Sequence, residues 1–175
     1  MDKLTLVRPT LAHKRDALAY KQAHFDAGET VIDGSELLDK MDIYEAWLDR
    51  VTKNADPATV QPDWVLTDTY FAVRESDRQI IGIIDFRHEL KGFLQDFGHC
   101  GYSVRPDERC KGYATEMLKM LCALAQKSGL AQLQLAAEPG NLPSVKTIEK
   151  NGGRYVRSFP FGSGQADVYV IDLQK

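Results

Sequence analysis

Cysteine and histidine are scarce in this sequence, and neither has the spacing of a metal site. Three cysteines and four histidines occur among 175 residues, with no Cys-x-x-Cys and no His-x-His pair. This spacing argues against a zinc site and against a disulfide framework. We therefore predict no bound metal and three reduced thiols in a cytoplasmic protein.

Other features are also missing, and each absence argues against a class of function. No apolar run is long enough to span a bilayer, and the first residues lack the charged-then-apolar pattern of a secretion signal. A Gly-Lys-Ser/Thr phosphate loop is absent. The net charge of −3 gives no electrostatic support for nucleic-acid binding. We expect neither a membrane nor a nucleic acid as partner.

The length and ordinary composition predict one domain, residues 1–175, built from strands and helices. In the first half we predict a strand at Leu4 to Val7, a helix from Thr10 through Phe25, a helix capped by Ser35 with an apolar stripe to Val51, and strands at Thr69 to Arg74 and Gln79 to Phe86. In the second half we predict a strand at Gly98 to Val104, a helix from Gly112 to Gly129, a strand at Leu130 to Ala137, a helix at Asn141 to Asn151, and strands at Tyr155 to Phe159 and Ala166 to Leu173. Gly162-Ser163-Gly164 is expected to be the turn of the last hairpin.

The junction between the strand ending at Val104 and the helix after Gly112 carries most of the chemical information. A strand–loop–helix junction points several backbone N–H groups to one place, at the positive end of the helix dipole. Arg109 and Lys111 add positive charge, and Gly112 lets a phosphate approach the backbone. The junction therefore predicts a phosphate-binding site.

The spacing Arg-x-x-Gly-x-Ala at Arg109 to Ala114 resembles the coenzyme A pyrophosphate loop of the GCN5-related N-acetyltransferase (GNAT) superfamily. The element order β-α-α-β-β-β-α-β-α-β-β is similar to that fold over nearly the whole chain. Gly98 to Pro106 and Asn141 to Gly153 look like a subgroup known only as predicted acetyltransferases. The resemblance implies an α+β fold (an α/β sandwich), with a central mixed, mostly antiparallel sheet, splayed fourth and fifth strands, and flanking helices.

The resemblance also implies how acetyl-CoA, as co-substrate, would bind. Pantetheine would lie between the strand ending at Val104 and the next strand, in a gap that a bulge opens. The cofactor-binding residues implied in this way are Tyr102, Ser103, Val104, Arg109, Cys110, Lys111, Gly112, Tyr113, Ala114, Thr115, Asn141 and Ser144. Asn141 would also cap the helix that follows it.

Acetyl transfer further needs a polarised carbonyl group and a proton for the leaving sulfur. A backbone N–H near Tyr102 or Ser103 would point at the thioester oxygen and stabilise negative charge there. Many GNAT enzymes have a tyrosine as the acid one residue before a Glu-Lys-x-Gly run, where this chain has Ile148. Ser144 or water must then replace it, although a solvated serine on a helix surface explains Ser144 nearly as well.

The general base has several candidates and no decisive one. His88 ends the strand before the loop and can take a proton near neutral pH. Glu138 ends the fifth strand, and His99 would serve only if a bulge turned it toward the donor. Glu29 and Asp33 could attract a cationic amine, but each of these residues also has an ordinary structural interpretation.

We predict an acetyl-CoA-dependent N-acetyltransferase that acts on a primary amine by direct attack, without an acyl-enzyme. Cys100 and Cys110 are poor nucleophile candidates because no histidine-plus-orienter arrangement accompanies them. Two alternatives stay open: a non-catalytic acyl-CoA sensor, and an acyltransferase that takes a longer acyl donor. The acceptor, a small molecule or a peptide amine, is not identified, and a homodimer is left open.

Overall fold

The computed structural model describes residues 2–174. Its helices are α1 (Lys14–Asp26), α2 (Tyr44–Asn54), α3 (Leu94–Phe97), α4 (Tyr113–Lys127) and α5 (Leu142–Lys150). Its strands are β1 (Leu4–Val7), β2 (Thr67–Arg74), β3 (Ile80–Arg87), β4 (Tyr102–Val104), β5 (Gln132–Ala137), β6 (Arg154–Phe161) and β7 (Gly164–Asp172). The order of elements is the predicted one, with the short helix α3 added between β3 and β4. No helix within the described residues is both long and apolar enough to cross a membrane.

The strands form two antiparallel sheets, in the orders β1-β2-β3-β4 and β5-β7-β6. The sheets meet where Gly98 forms a single bridge with Leu135. The predicted α+β fold, with strands that part between the fourth and the fifth, is thereby confirmed. The turn at Gly162 and Ser163 joins β6 to β7 as expected.

Two apolar cores cover the opposite faces of the four-stranded sheet, because successive strand residues alternate in direction. On one face, Tyr20 of α1 and Trp47 of α2 pack with Phe71 of β2. On the other face, Met117 of α4 packs with residues of β5 and α5. Tyr44 and Trp47 belong to this first core, and the partly buried Met41 packs against it.

The predicted helix beginning at Ser35 is wrong, because α2 begins only at Tyr44. Glu36 (φ 49°) and Leu37 (φ 73°) have left-handed backbone conformations, which interrupt a right-handed helix. The indole N–H of Trp47 donates to the Ser35 carbonyl oxygen over 2.8 Å. This buried hydrogen bond holds the segment as a loop folded back on α2 and overrides its apolar periodicity.

The predicted strand from Gly98 to Val104 is also too long, because β4 covers only Tyr102–Val104. Gly98 has a φ of 86°, and the N–H of Gly101 donates to the Asp85 carboxylate over 2.5 Å. The Asp85 side chain of β3 therefore takes the place of a backbone carbonyl acceptor just before β4 begins. The expected bulge is absent, since the paired residues of β3 and β4 show no register shift.

Candidate active site

The loop between β4 and α4 presents a row of backbone N–H groups. Cys110 (φ 62°) and Gly112 (φ 86°) take left-handed conformations, and the chain turns sharply at both. Within residues 2–174, the N–H groups of residues 110–115 donate no hydrogen bond to the protein. They lie at the positive end of α4, a helix of 15 residues, so the row fits a pyrophosphate group.

The two basic side chains of this loop are paired with carboxylates. Arg109 donates to both oxygens of Glu29 over 2.5 and 2.8 Å, and Lys111 contacts Glu108 at 2.8 Å. Hydrogen bonds from Arg109 lower the pKa of Glu29 to about 2. Glu29, which was a candidate for attracting the acceptor amine, is therefore already neutralised by Arg109.

Other side chains around the loop also point away from the row of N–H groups. Tyr113 is buried, and its hydroxyl accepts a hydrogen bond from Arg74 over 3.4 Å. The Ser103 hydroxyl donates to the Asp33 carbonyl oxygen over 2.7 Å. Tyr113 and Ser103 thus have partners within the protein, while the Cys110 thiol lies exposed in the loop.

A gap opens between β4 and β5 beyond the bridge of Gly98 and Leu135. On the side of β4 away from the gap, alternate residues form backbone hydrogen bonds with β3. The residues that flank β4, Gly101 and Arg105, follow this alternation. Because the bonds of an antiparallel ladder alternate in this way, the N–H of Tyr102 points into the gap. The gap can accept an extended chain such as pantetheine as an additional strand.

Two hydroxyl groups meet at the start of α5, beside this gap. The Tyr102 and Ser144 hydroxyl oxygens are 2.9 Å apart. The Asn141 side chain accepts from the Ser144 N–H over 3.3 Å and so caps α5, as predicted. Burial raises the pKa of Tyr102 far above its ordinary value, so its hydroxyl keeps its proton. Ile148 is fully buried in the core.

The two histidines considered as bases have other partners. His88 Nε2 lies 2.8 Å from Asp68, which also contacts Arg8 at 2.6 Å. His99 Nδ1 accepts the Gln134 N–H over 2.9 Å, and burial lowers the pKa of His99. His99 thus connects the segment before β4 to β5 by a hydrogen bond. His88 belongs to a separate cluster of ion-paired side chains.

Glu138 borders an open cavity of about 500 Å³ at the end of β5. Asn141, Phe161 and Gln165 line the same cavity. The negative charge of Glu138 also acts on Asp33 of the α1–α2 loop, whose pKa is raised chiefly by burial. The charge of Glu138, which lies near the cap of α5, therefore contributes to the raised pKa of Asp33.

The sequence analysis missed two neighbouring carboxyl groups, the buried Asp85 of β3 and Glu36 of the α1–α2 loop. Asp85 is fully buried on β3 and lies 2.8 Å from the Arg87 guanidinium. Burial and the negative charge of Asp85 raise the pKa of Glu36 to about 8. The available signal is a charged Asp85-Phe86-Arg87 triplet after the apolar run that begins β3, because buried charges are rare unless they are paired.

The split antiparallel sheet, the gap and the anion-binding helix start together define an acyltransferase that takes its acyl group from coenzyme A. Residues 3–154 match the family model for the acetyltransferase (GNAT) domain, and the chain belongs to that family. Acetyl-CoA is the acetyl donor of GNAT enzymes. No curated protein sequence matches the chain significantly.

Solved structures share this fold at low sequence identity. The microcin C7 self-immunity acetyltransferase MccE, in complex with acetyl-CoA and AMP, aligns with a TM-score of 0.71 and 14% identity over 98% of this chain and 93% of MccE. A GNAT-family acetyltransferase from Bacillus anthracis aligns with a TM-score of 0.64 and 18% identity over 100% of this chain and 98% of its own. The ribosomal-protein-S5-alanine acetyltransferase from Vibrio fischeri aligns with a TM-score of 0.64 and 15% identity over 98% and 92%.

Proposed function

We propose that this chain, as one domain of residues 1–175, transfers the acetyl group of acetyl-CoA to a primary amine by direct attack. The observation that carries the proposal is the row of N–H groups at residues 110–115, next to the gap between β4 and β5. Free cysteines at all three positions fit a cytoplasmic protein. Bound acetyl-CoA would supply the thioester carbonyl group for the reaction.

The chain's own groups would bind and orient the donor. The N–H groups of residues 110–115 would hold the pyrophosphate, and Gly112 would keep the backbone accessible to it. The N–H of Tyr102 would donate to the thioester oxygen and stabilise the negative charge that develops there. These contacts need no particular side chain, which suits a donor shared by a whole family.

Ser144 is the proposed acid, in place of the tyrosine whose position Ile148 occupies. Its hydroxyl is 2.9 Å from the Tyr102 hydroxyl, which stays protonated. This pair can pass a proton to the sulfur as the C–S bond breaks. A thiol with a solution pKa near ~8.5 needs only partial help to leave.

Two measurements test this function. Acetyl-CoA should raise the melting temperature, and at least one compound in a panel of primary amines and peptides should release free CoA thiol. Stabilisation without release across the panel would favour the sensor alternative. Faster release from a longer acyl-CoA would favour the alternative donor. No stabilisation by any CoA compound would contradict the proposal.

A further inference from the structure

A polar cluster lies between β3 and the α1–α2 loop, on the face of the sheet opposite to α4. At its base, one Asp85 oxygen accepts the Gly101 N–H over 2.5 Å, and the other lies 2.8 Å from the Arg87 guanidinium. Glu36 stands on the loop close enough to Asp85 and Arg87 for the charges of both to act on its carboxyl group. The carboxyl groups of Glu36 and Asp85 thus have one guanidinium group, that of Arg87, close to them. This excess of carboxyl groups favours the binding of a cation.

Several buried polar atoms of this cluster have no hydrogen-bond partner within the described residues. Thr69 stands directly opposite Asp85 in the ladder between β2 and β3, is 3% exposed, and its hydroxyl is unpaired. Nε of Arg87 has no hydrogen bond either, and Oδ2 of Asp85 makes none but is held by the 2.8 Å ion pair with Arg87. Unpaired buried polar groups are costly and rare, so the cluster is suited to receive a polar group from outside.

The loop that carries Glu36 touches β4 beside the gap. Gly34 packs so closely on Gly101 that a Cβ at residue 34 would lie 2.2 Å from the Gly101 carbonyl oxygen and 2.8 Å from the Tyr102 nitrogen. Glu36 and Leu37 have left-handed backbone conformations, which cost free energy and concentrate at functional sites. The Glu36 loop is therefore held against the segment whose Tyr102 N–H points into the gap.

We infer that Glu36 is the carboxylate that binds the ammonium group of the acceptor and accepts its proton, and that the acceptor is a cationic primary amine. Asp85 acts through Glu36 and is a positioning residue. The inference rests on the proposed acetyltransferase function, because it assigns the acceptor side of the same reaction.

The charges around Glu36 agree with this assignment. Asp85 and Arg87 face it from β3, and Arg50 faces it from α2. Within the same loop, Asp33 adds a carboxyl group whose pKa is raised by burial and by the charges of Asp39 and Asp85. Carboxyl groups outnumber guanidinium groups here, so an ammonium ion is attracted and a carboxylate is repelled.

The proton balance of the step is simple. The carboxylate of Glu36 takes one proton from the ammonium group, and the free amine nitrogen forms a bond to the acetyl carbon. The C–S bond breaks, its electron pair goes to sulfur, and the remaining excess proton on nitrogen reaches sulfur through Ser144 or water. One proton leaves Glu36 for solvent in each cycle, so Glu36 is regenerated.

The pH dependence follows from the raised pKa of Glu36. Below about pH 8 the carboxyl group is mostly protonated and cannot accept a proton, so the rate should rise with pH toward that value. Replacement by glutamine removes this group, so the bend in the profile near pH 8 should disappear and the rate should follow only the fraction of free amine, which rises up to an ammonium pKa of ~10.4. A purely structural role for Glu36 would lower the rate equally at every pH.

The test compares the wild type with Glu36→Gln, Asp85→Asn and the control Glu75→Gln, whose carboxylate pairs with Thr5 and Lys3 at the far end of β2. CoA thiol release is measured from about pH 6 to about pH 9.5, with the best amine of the panel as acceptor. We expect Glu36→Gln to lower kcat at least about tenfold and to lose the bend in the pH profile near pH 8. Acetyl-CoA affinity should change less than about twofold, and Glu75→Gln should behave like the wild type.

A second measurement, the melting temperature, requires neither catalytic turnover nor a correctly folded Asp85→Asn variant. At about pH 9, where Glu36 is ionised and an alkylamine is still a cation, hexylamine should raise the melting temperature of the CoA-saturated wild type, whereas neutral hexanol should not. Glu36→Gln should lose the hexylamine effect. An unchanged pH profile in Glu36→Gln, or equal stabilisation of both proteins by hexylamine, would overturn the inference. A wild type that turns over no amine but still binds hexylamine through Glu36 would contradict the proposed function alone.

Discussion

The donor side and the acceptor side of this molecule are built in different ways. On the proposed donor side, backbone N–H groups of residues 110–115 and of Tyr102 would make the binding surface, and the Arg109 and Tyr113 side chains are engaged with other residues. On the acceptor side, the loop from Gly34 to Leu37 meets side chains of β3, with Asp85 at the base. A main-chain site suits one unchanging donor, whereas a side-chain site can select among amines.

This comparison predicts that donor-side glycines control affinity for acetyl-CoA and that acceptor-side groups control turnover. The variants below separate the two sides, and they are taken from the largest expected effect to the smallest.

Replacing Gly112 with valine should abolish acetyl-CoA binding, with a loss of affinity of at least about a hundredfold. The left-handed conformation at Gly112 (φ 86°) is strained for a β-branched residue, and its distortion would scatter the N–H groups of the loop. Calorimetric titration with acetyl-CoA measures the effect. Gly92→Val is the matched control, since Gly92 (φ 55°) is also left-handed but lies outside the loop between β4 and α4. Normal affinity in Gly112→Val would refute the assignment of the loop.

Replacing Gly34 with alanine should lower kcat about tenfold while leaving the Kd for acetyl-CoA within about threefold. The new Cβ would lie 2.2 Å from the Gly101 carbonyl oxygen, so the loop carrying Glu36 must lift from β4. Gly28→Ala is the control, because Gly28 has a similar φ of 79° with nothing within 4 Å. Equal kinetics in the two variants would mean that the close approach of the loop is not needed for turnover.

Replacing Ser144 with alanine should lower kcat about tenfold or more, without weakening acetyl-CoA binding by more than about twofold. The reason is the loss of the hydroxyl that meets Tyr102 at 2.9 Å and donates to the leaving sulfur. Steady-state kinetics of Ser144→Ala, with Ser76→Ala in the β2–β3 turn as control, measure the change. A full rate in Ser144→Ala would assign the proton transfer to water.

Replacing Glu29 with glutamine should have the smallest effect, a loss of stability under about 1 kcal/mol, because the ion pair with Arg109 is partly exposed. The pKa of Glu29 is lowered in the folded protein, so its contribution is present above about pH 4.5 and is lost as the pH falls toward about 2. Thermal melts of the wild type and Glu29→Gln should therefore differ at neutral pH and converge in acid. A constant difference across that range would mean that Glu29 is not held ionised by Arg109.

The sequence predicted the strand–loop–helix junction of the proposed donor side because the residues of the junction are contiguous. Arg109 to Thr115 stand between a strand and a helix, so local rules for helix starts apply to them. The cap at Asn141 and the helix end at Gly129 (φ 92°) were predictable for the same reason. The contacts of Arg109 were not, because Glu29 lies far away in the chain and local rules say nothing about it.

The acceptor side was not predictable because it depends on contacts between distant segments. Helical spacing after Ser35 suggested a helix, but the Trp47 indole and two left-handed residues hold a loop there. The same loop brings Glu36 onto Asp85, a pairing that no local pattern encodes. Tertiary contacts thus overrode periodicity at the proposed acceptor side.

Amide hydrogen exchange with and without acetyl-CoA tests the central claim most directly, because the claim concerns backbone N–H groups. Acetyl-CoA should slow the exchange of the amides of residues 110–115 and of Tyr102, and should leave those of the Glu36 loop nearly unchanged. Unaltered exchange at residues 110–115 in the presence of saturating acetyl-CoA would contradict the claim.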